Sequence, residues 1–183
     1  MHQLTGKKIA IVVDDGFEQV ELVEPRKALE EAGATTEIIS PQPELVKAWN
    51  HSDWGDQFHV DAAVETADPA NYDALLLPGG VMNPDKLRHN SKVLQFVRSF
   101  AKSNKPIAAI CHAPWTLIDA GVVKGRRLTS YESLQTDLKN AGAHWVDEEV
   151  VIDDYLVTSR KPTDIPAFNK MMLERIEQGN GAA

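Results

Sequence analysis

Residues 105–115, with the sequence KPIAAICHAPW, decide the fold of this chain. Their apolar run, residues 107–110, is short and follows a proline, which is typical of a parallel strand buried on both faces. Pro114 suits the first turn of a helix, because the N–H group that proline lacks is not needed there. Apolar residues then recur at helical spacing up to Gly121, a typical helix stop. The pattern therefore places Cys111, the only cysteine, at a strand-to-helix turn.

The position of Cys111 predicts a reactive thiol. The N-terminus of a helix carries partial positive charge and unpaired N–H groups, which stabilise a thiolate and lower the pKa of the thiol. Residues 109–113 (AICHA) also match the small-x-nucleophile-x-small pattern of a nucleophile elbow, where the next N–H can face an oxyanion. A lone cysteine is more often a small buried apolar residue. The turn and the adjacent His112 favour the nucleophile here.

Outward from this turn, buried strands alternate with amphipathic helices. Short apolar runs predict strands at residues 8–13, 35–40 and 72–77. Apolar residues at helical spacing predict helices at 18–31, 91–103 and 163–178, with a shorter helix at 133–141. Short strands around a turn-rich segment predict a hairpin between residues 45 and 64, and another pair spans 149–158. This alternation indicates an α/β fold: a mostly parallel sheet with helices on both faces.

Sites in such sheets form outside the carboxyl ends of the strands. The turn of residues 14–18, the pair Gly79-Gly80 and the turn at Cys111 each follow a predicted buried strand. Two glycines at a strand end allow positive φ and close backbone approach, so their N–H groups can point at a ligand. We therefore expect these three turns to converge.

Length, charge and cysteine count limit the class of protein to which the chain can belong. The 183 residues fit one domain, residues 1–183, and the formal net charge of −8 argues against a nucleic-acid-binding surface. A single cysteine excludes an intramolecular disulfide framework, so we expect a reducing compartment and a cytoplasmic location. No segment resembles a signal peptide or a membrane span, and we expect no membrane partner.

Several motifs in order resemble the ThiJ/PfpI family, most closely its PfpI-like branch of stress proteins. They are DGFEQVE at 15–21, LLLPGG at 75–80, AICHAP at 109–114, and shorter matches at 128–130, 140–143, 147–151 and 157–160. The resemblance implies a flavodoxin-like three-layer sandwich, a homodimer or hexamer, and no metal or organic cofactor. His51, His59 and His144 also lack metal-ligand spacing.

The resemblance further implies which residues surround the nucleophile. Glu18 matches the acidic partner of the cysteine, expected to be protonated and to donate a hydrogen bond to sulfur; an ordinary first-turn helix glutamate is the alternative. Gly80 and the N–H of His112 would form the oxyanion hole, while Gly79 would shape the turn. Tyr131 would line the pocket, although a core aromatic is equally consistent with its sequence context.

His112 is the candidate acid–base residue, since its ordinary pKa suits neutral pH. Neighbours at a sharp turn tend to point apart, so His112 need not reach the sulfur of Cys111. In PfpI-like proteins a carboxylate of the neighbouring subunit orients the histidine, and Asp85 corresponds to it here. The protease branch has a glutamate there, which weakens the protease triad, and Asp85 is equally consistent with a helix cap.

Three functions are compatible with these residues. The first is a cysteine-dependent stress-response enzyme that acts on reactive carbonyls, as a glyoxalase or as a deglycase of glycated proteins. The second is a PfpI-type intracellular cysteine peptidase. The third is a non-catalytic protein that senses oxidants through Cys111 or holds unfolded proteins. The altered carboxylate at Asp85 favours the first.

Overall fold

The computed structural model describes residues 3–179. Its strands are β1 (Lys8–Val12), β2 (Thr35–Ser40), β3 (Leu45–Asn50), β4 (Asp53–His59), β5 (Ala62–Ala63), β6 (Ala74–Leu77), β7 (Ile107–Ile110), β8 (Arg127–Leu128), β9 (His144–Trp145), β10 (Val150–Asp153) and β11 (Leu156–Ser159). Its α-helices are α1 (Gln19–Glu31), α2 (Met82–Leu87), α3 (Ser91–Lys102), α4 (Pro114–Asp119), α5 (Gln135–Asn140) and α6 (Ile165–Gln178). Short 3₁₀ helices cover Pro69–Asn71, Glu132–Leu134 and Pro162–Asp164.

Seven strands form the central sheet in the order β10-β11-β7-β6-β1-β2-β5. Every pairing in it is parallel except that of the edge strand β10 with β11. All residues of β6, β7 and β11 are buried, as expected for strands covered on both faces. The motif strand β7 lies between β6 and β11, with Ile107 in register with Leu75 and Leu156.

Two apolar cores cover the two faces of this sheet. Side chains alternate along β1, so that Ala10 and Val12 pack into one core while Ile9 and Ile11 pack into the other. Helices α3 and α4 cover the first face, and α1 and α6 cover the second. This architecture confirms the predicted α/β sandwich with a mostly parallel sheet and helices on both faces.

Some element boundaries differ from the sequence predictions. The hairpin β3–β4 is longer than expected and forms a separate two-stranded sheet, while the predicted strand near residue 64 is reduced to β5. Asn90, not Ser91, caps α3, since its side chain accepts hydrogen bonds from the N–H groups of Lys92 and Val93. Strands β8 and β9 escaped prediction because two residues give no measurable periodicity.

The carboxyl ends of β1, β6 and β7, which are adjacent in the sheet, meet at one edge. The turns that follow these strands carry Glu18, Gly80 and Cys111, and all three residues line one cleft. Among residues 3–179, no helix has both the length and the apolar composition to cross a bilayer.

Candidate active site

Cys111 sits on a strained turn between β7 and α4. Its φ of +64° lies in the left-handed region, which non-glycine residues rarely adopt. Two hydrogen bonds hold the backbone there: the Cys111 N–H donates to the carbonyl of Ser159 (3.1 Å), and the N–H of Tyr131 donates to the Cys111 carbonyl (2.9 Å). A nucleophile on a sharp, strained strand-to-helix turn is the geometry of an elbow.

The carboxyl group beside the thiol belongs to Glu21, not to Glu18. Glu21 is completely buried at the start of α1, where its carboxyl interacts with the Cys111 side chain and accepts a hydrogen bond from the N–H of Gly79 (2.8 Å). Glu18 precedes the helix in extended backbone, and its side chain accepts a hydrogen bond from the N–H of His51 (3.2 Å). The expectation that Glu18 is the partner of the thiol was therefore wrong. The partner is Glu21, three residues further along the chain and almost one helical turn away.

Burial singles out Glu21 once the position of α1 is known. The buried residues of α1 are Glu21, Leu22, Pro25 and Leu29, so this glutamate shares the face that packs against the sheet. A charged carboxyl on a buried helix face destabilises the folded state unless it is paired or becomes neutral. That cost marks Glu21 as a candidate functional residue.

Burial raises the pKa of Glu21 to about 8, and the nearby charge of Glu18 adds to the increase. Hydrogen bonds from Gly79 and Cys111 act in the opposite direction but do not outweigh burial. At neutral pH Glu21 is therefore mostly protonated. Its Oε1 atom is buried without a conventional hydrogen-bond partner among residues 3–179, which suits the oxygen that carries the proton.

Burial also raises the pKa of the Cys111 thiol, and the negative charge of ionised Glu21 raises it further. The N–H groups of Gly80 and His112 hydrogen-bond to the sulfur and lower the pKa by less. The expected lowering by the N-terminus of α4 is therefore outweighed by burial. Cys111 rests as a thiol, so nucleophilic attack by its sulfur would require a base that takes the proton.

His112 is placed to be that base. Its Nδ1 atom lies 3.2 Å from the sulfur of Cys111, so the neighbouring side chains converge although sharp turns usually splay them. Its Nε2 atom lies 3.3 Å from the hydroxyl of Ser133, a residue that the sequence analysis missed. If Nε2–H donates to Ser133, Nδ1 is left as the acceptor for the thiol proton. Burial lowers the pKa of His112, so the ring is neutral at pH 7.

Aromatic rings fix the orientation of this imidazole. Tyr131 stacks on His112 with ring centroids 4.7 Å apart, and Trp115 meets it edge-on at 5.2 Å. The Trp115 indole is itself held by a hydrogen bond to Asp137 (2.9 Å). Tyr131 thus lines the pocket and also clamps the candidate base.

Asp85 is exposed in the first turn of α2. Within residues 3–179 the polar contacts of the His112 ring are Cys111 and Ser133, so no carboxylate of the same protomer orients it.

Asn83, two residues before Asp85, is buried. Its side chain accepts a hydrogen bond from the N–H of Asp14 (2.7 Å) and donates hydrogen bonds to the carbonyls of Pro78 and Gly79. Asn83 therefore fastens the double-glycine turn to the end of β1.

The double glycine is a steric requirement of the site. A Cβ atom on Gly79 would lie 2.5 Å from Oε2 of Glu21 and 2.7 Å from Cβ of Cys111. Gly80 has a φ of +75°, and a Cβ there would lie 2.5 Å from the carbonyl oxygen of Gly16. Real Cβ atoms are essentially never this close to other atoms. The two glycines let Glu21 approach the thiol and let the Gly80 N–H reach the sulfur.

Comparison with known proteins identifies the family of this chain. The profile of the DJ-1/PfpI family matches residues 7–175, nearly the whole chain. The chain belongs to the DJ-1/PfpI family. It is 44% identical to General stress protein 18 of Bacillus subtilis over 94% of this chain and 99% of that one. It is also 43% identical to Protein/nucleic acid deglycase 2 of Escherichia coli, over 92% and 96% of the two chains.

A solved structure agrees. The crystal structure of Drosophila melanogaster DJ-1beta superposes with a TM-score of 0.83 and 28% identity, and 94% of each chain is covered. These findings confirm the family resemblance of the sequence motifs. The fold of this DJ-1/PfpI protein is therefore that of its relatives.

The elbow of this DJ-1/PfpI protein opens into a cleft of about 600 Å³. Cys111, His112 and Glu21 lie among its lining residues, and Tyr131 and Trp49 provide aromatic surface. The hairpin β3–β4 closes one side, because the Trp49 N–H donates to the carbonyl of Phe17 (2.7 Å). Among residues 3–179 no group of three His, Cys, Asp or Glu side chains is arranged to hold a metal ion.

Proposed function

We propose that this protein is a cofactor-independent cysteine enzyme that acts on reactive carbonyl compounds, of the glyoxalase or protein-deglycase type. The observation that carries the proposal is the set of groups around one sulfur atom. The Nδ1 of His112 and the carboxyl of Glu21 flank the sulfur, and the N–H groups of Gly80 and His112 point at it. Together they supply a base, an acid and an oxyanion site.

The first step is addition of the thiol to a carbonyl carbon. As the S–C bond forms, the thiol proton passes to Nδ1 of His112 and the carbonyl π electrons move to oxygen. The N–H groups of Gly80 and His112, which face the sulfur at rest, stabilise this oxyanion. Glu21 is protonated at neutral pH and can then donate its proton, so that a neutral hemithioacetal results.

An α-dicarbonyl substrate allows the reaction to continue without a cofactor. The hemithioacetal carbon of an α-ketoaldehyde carries a C–H bond next to a ketone. A base removes this proton, and reprotonation of the neighbouring carbon converts the hemithioacetal into a thioester. Water hydrolyses the thioester to a hydroxy acid and regenerates the Cys111 thiol. The addition leaves the thiol proton on His112 and leaves Glu21 ionised, so the Glu21 carboxylate, which also lies beside the sulfur, is the base for this step.

The peptidase alternative is less well supported by this geometry. Peptide cleavage requires an imidazolium that protonates the leaving amine, usually stabilised by a carboxylate. Here burial lowers the pKa of His112, and its second nitrogen contacts the hydroxyl of Ser133. Addition to an aldehyde has no leaving group to protonate. A peptidase would need a carboxylate such as Asp85 from another subunit.

The sensor alternative is also less well supported. Oxidation of a cysteine by peroxide proceeds through the thiolate and requires access. Cys111 is buried, and burial raises the pKa of its thiol. The polar groups around the sulfur would assist the reaction in which the thiol adds to a carbonyl. A simple sensor has no use for them.

One set of assays separates the three functions. Turnover of methylglyoxal, hydrolysis of a peptide library and peroxide oxidation of the protein are measured on the wild type and on Cys111→Ser. We expect methylglyoxal turnover in the wild type only. Peptide hydrolysis that depends on Cys111, without methylglyoxal turnover, would establish the peptidase. Oxidation without either activity would establish the sensor.

We further propose that the enzyme is cytoplasmic and homo-oligomeric, as a dimer or a hexamer. The single cysteine supports a reducing compartment. In a peptidase mechanism His112 would need a charged partner from another subunit. The assembly state therefore bears on the choice between the two enzyme functions. Sedimentation velocity gives the assembly state, and a monomer at micromolar concentration would refute the oligomer.

A further inference from the structure

The cleft over Cys111 has an unusual charge balance. Among residues 3–179, those that line it include Glu18, Glu21, His51 and His112 but neither lysine nor arginine. Glu21 is mostly protonated and His112 mostly neutral at pH 7, for the reasons given above. Glu18 therefore supplies the main negative charge of the cleft.

Glu18 is held in place at the mouth of the cleft. Its side chain is only 13% exposed, and its Oε1 atom accepts a hydrogen bond from the backbone N–H of His51 (3.2 Å). Among residues 3–179, the basic group within ion-pair distance of Glu18 is the imidazole of His51, with Nδ1 3.7 Å away and the side chain three-quarters exposed to solvent. The hydrogen bond fixes the carboxylate without neutralising it as a lysine or arginine would.

The charge of Glu18 also reaches the floor of the cleft. It contributes to the raised pKa of Glu21, which lies against the thiol. Glu18 and the thiol are both largely buried and share one electrostatic environment, where charges interact more strongly than in bulk water. Trp49 and Tyr131 also line the cleft and bring no positive charge to it.

We propose that this cleft admits neutral and cationic carbonyl compounds and rejects anionic ones, and that Glu18 is the residue that sets this specificity. The excluded class comprises α-keto acids and carbonyl compounds that carry phosphate. The carbonyl part of this inference rests on the proposed function. The charge selection applies to any reagent that approaches Cys111, so it can be tested separately.

The chain allows a direct test because Cys111 is its only cysteine. Methanethiosulfonate reagents transfer a thioalkyl group to a cysteine: the S–S bond to Cys111 forms, methanesulfinate leaves, and the thiol proton passes to a base. A trimethylammonium-ethyl reagent and a sulfonato-ethyl reagent perform the same reaction with opposite charges. Labelling rates at pH 7.5 are followed by intact mass and divided by the rates for a small free thiol.

We expect the cationic reagent to label the wild type on the order of tenfold faster than the anionic one after this correction. Glu18→Gln should bring the ratio close to one, and 0.5 M salt should reduce it in the wild type. Any change that Glu18→Gln causes in the pKa of Cys111 affects both reagents equally and cancels in the ratio.

Glu44→Gln is the matched control, since it removes the same charge from an exposed residue that does not line the cleft. It should leave the ratio unchanged. Equal ratios for the wild type and Glu18→Gln, or an equal shift in Glu44→Gln, would overturn the proposal.

Turnover assays on neutral methylglyoxal and on 4,5-dioxopentanoate, an α-ketoaldehyde that carries a carboxylate, extend the test to substrates. Glu18→Gln should raise the kcat/KM for 4,5-dioxopentanoate relative to methylglyoxal about tenfold. If neither compound is turned over while the labelling ratio behaves as expected, the proposed function fails and the charge selection stands.

Discussion

The Nδ1 atom of His112 lies 3.2 Å from the sulfur of Cys111, its immediate neighbour in the chain. Consecutive side chains rarely meet in this way, because extended and helical backbones point them apart. The left-handed φ of +64° at Cys111 brings them together, and the stacked ring of Tyr131 fixes the imidazole. The strain of the elbow thus produces the nucleophile–base pair and places the sulfur among the residues that line the cleft.

The pairing of Glu21 with Cys111 predicts a change in the thiol pKa. In Glu21→Gln the amide oxygen can still accept from Gly79, and the amide N–H₂ can donate to sulfur, while the negative charge is gone. We expect the apparent thiol pKa to fall by about one unit or more. The pH dependence of labelling by neutral methyl methanethiosulfonate measures it. Glu18→Gln is the comparison, and a larger shift in that variant would assign the partner to Glu18 after all.

Glu21 also predicts a pH-dependent stability. Its pKa is about 8 in the folded protein and 4.5 in the unfolded chain, so the folded state binds this proton more tightly. The resulting stabilisation is present below pH 4.5 and is lost as the pH rises towards 8. Glu21→Gln should therefore be more stable than the wild type by roughly 3 kcal/mol at pH 7. The advantage should disappear near pH 4.5.

Urea unfolding at pH 5 and pH 8 measures this difference. The gap in free energy of unfolding between Glu21→Gln and the wild type should widen between the two pH values. Glu44→Gln, an exposed charge removal, should show no such widening. A constant gap would mean that Glu21 is ionised in the folded protein at pH 5.

The sequence predicted the sheet well because its signals were local and strong. The apolar runs of β1, β6 and β7 and the double glycine identify the strands and the turns that meet at the site. The identity of the carboxyl did not follow, because Glu18 and Glu21 differ by three residues at the boundary between turn and helix. Only the position where α1 begins decides which of them faces the sheet.

Ser133 and Asn83 were missed for a different reason. Ser133 reaches His112 from the 3₁₀ helix Glu132–Leu134, and Asn83 reaches the end of β1 from α2. Both contacts join segments that are distant in sequence, and the apolar spacing that predicts helices does not predict the partner of a polar side chain. Long-range polar contacts of single residues leave no trace in spacing or composition.

Ser133 is predicted to be a positioning residue for His112. Ser133→Ala removes the hydroxyl that holds Nε2, so both tautomers of the ring become accessible and fewer molecules have Nδ1 free to accept the thiol proton. We expect kcat/KM for methylglyoxal to fall about tenfold. The ¹⁵N chemical shifts of His112 should report a tautomer mixture. Ser133→Thr keeps the hydroxyl and should restore both values; a loss of activity without a tautomer change would argue for a merely structural role.

Substitution of Gly79 by alanine measures the effect of steric overlap on stability without that of backbone strain. The φ of Gly79 is not in the left-handed region, so Gly79→Ala introduces only the overlap of the new Cβ with Glu21, with Cys111 and with the carbonyl oxygen of Ile110. We expect a loss of roughly 2–4 kcal/mol in free energy of unfolding, together with a changed thiol pKa because Glu21 must move. Gly121→Ala is the opposite case: φ is +74°, and in the described part of the chain no atom beyond the adjacent residues lies within 4 Å of the new Cβ.

The control variant should lose only about 1 kcal/mol, from the left-handed backbone alone, and should keep the thiol pKa of the wild type. Thermal unfolding and thiol labelling of both variants test the pair. Equal losses of stability, with the thiol pKa unchanged in Gly79→Ala, would show that the carboxyl of Glu21 does not depend on Gly79 for its approach to the sulfur. A selective effect of Gly79→Ala on the thiol would establish the close packing of glycine, carboxyl and cysteine as the feature that tunes the nucleophile.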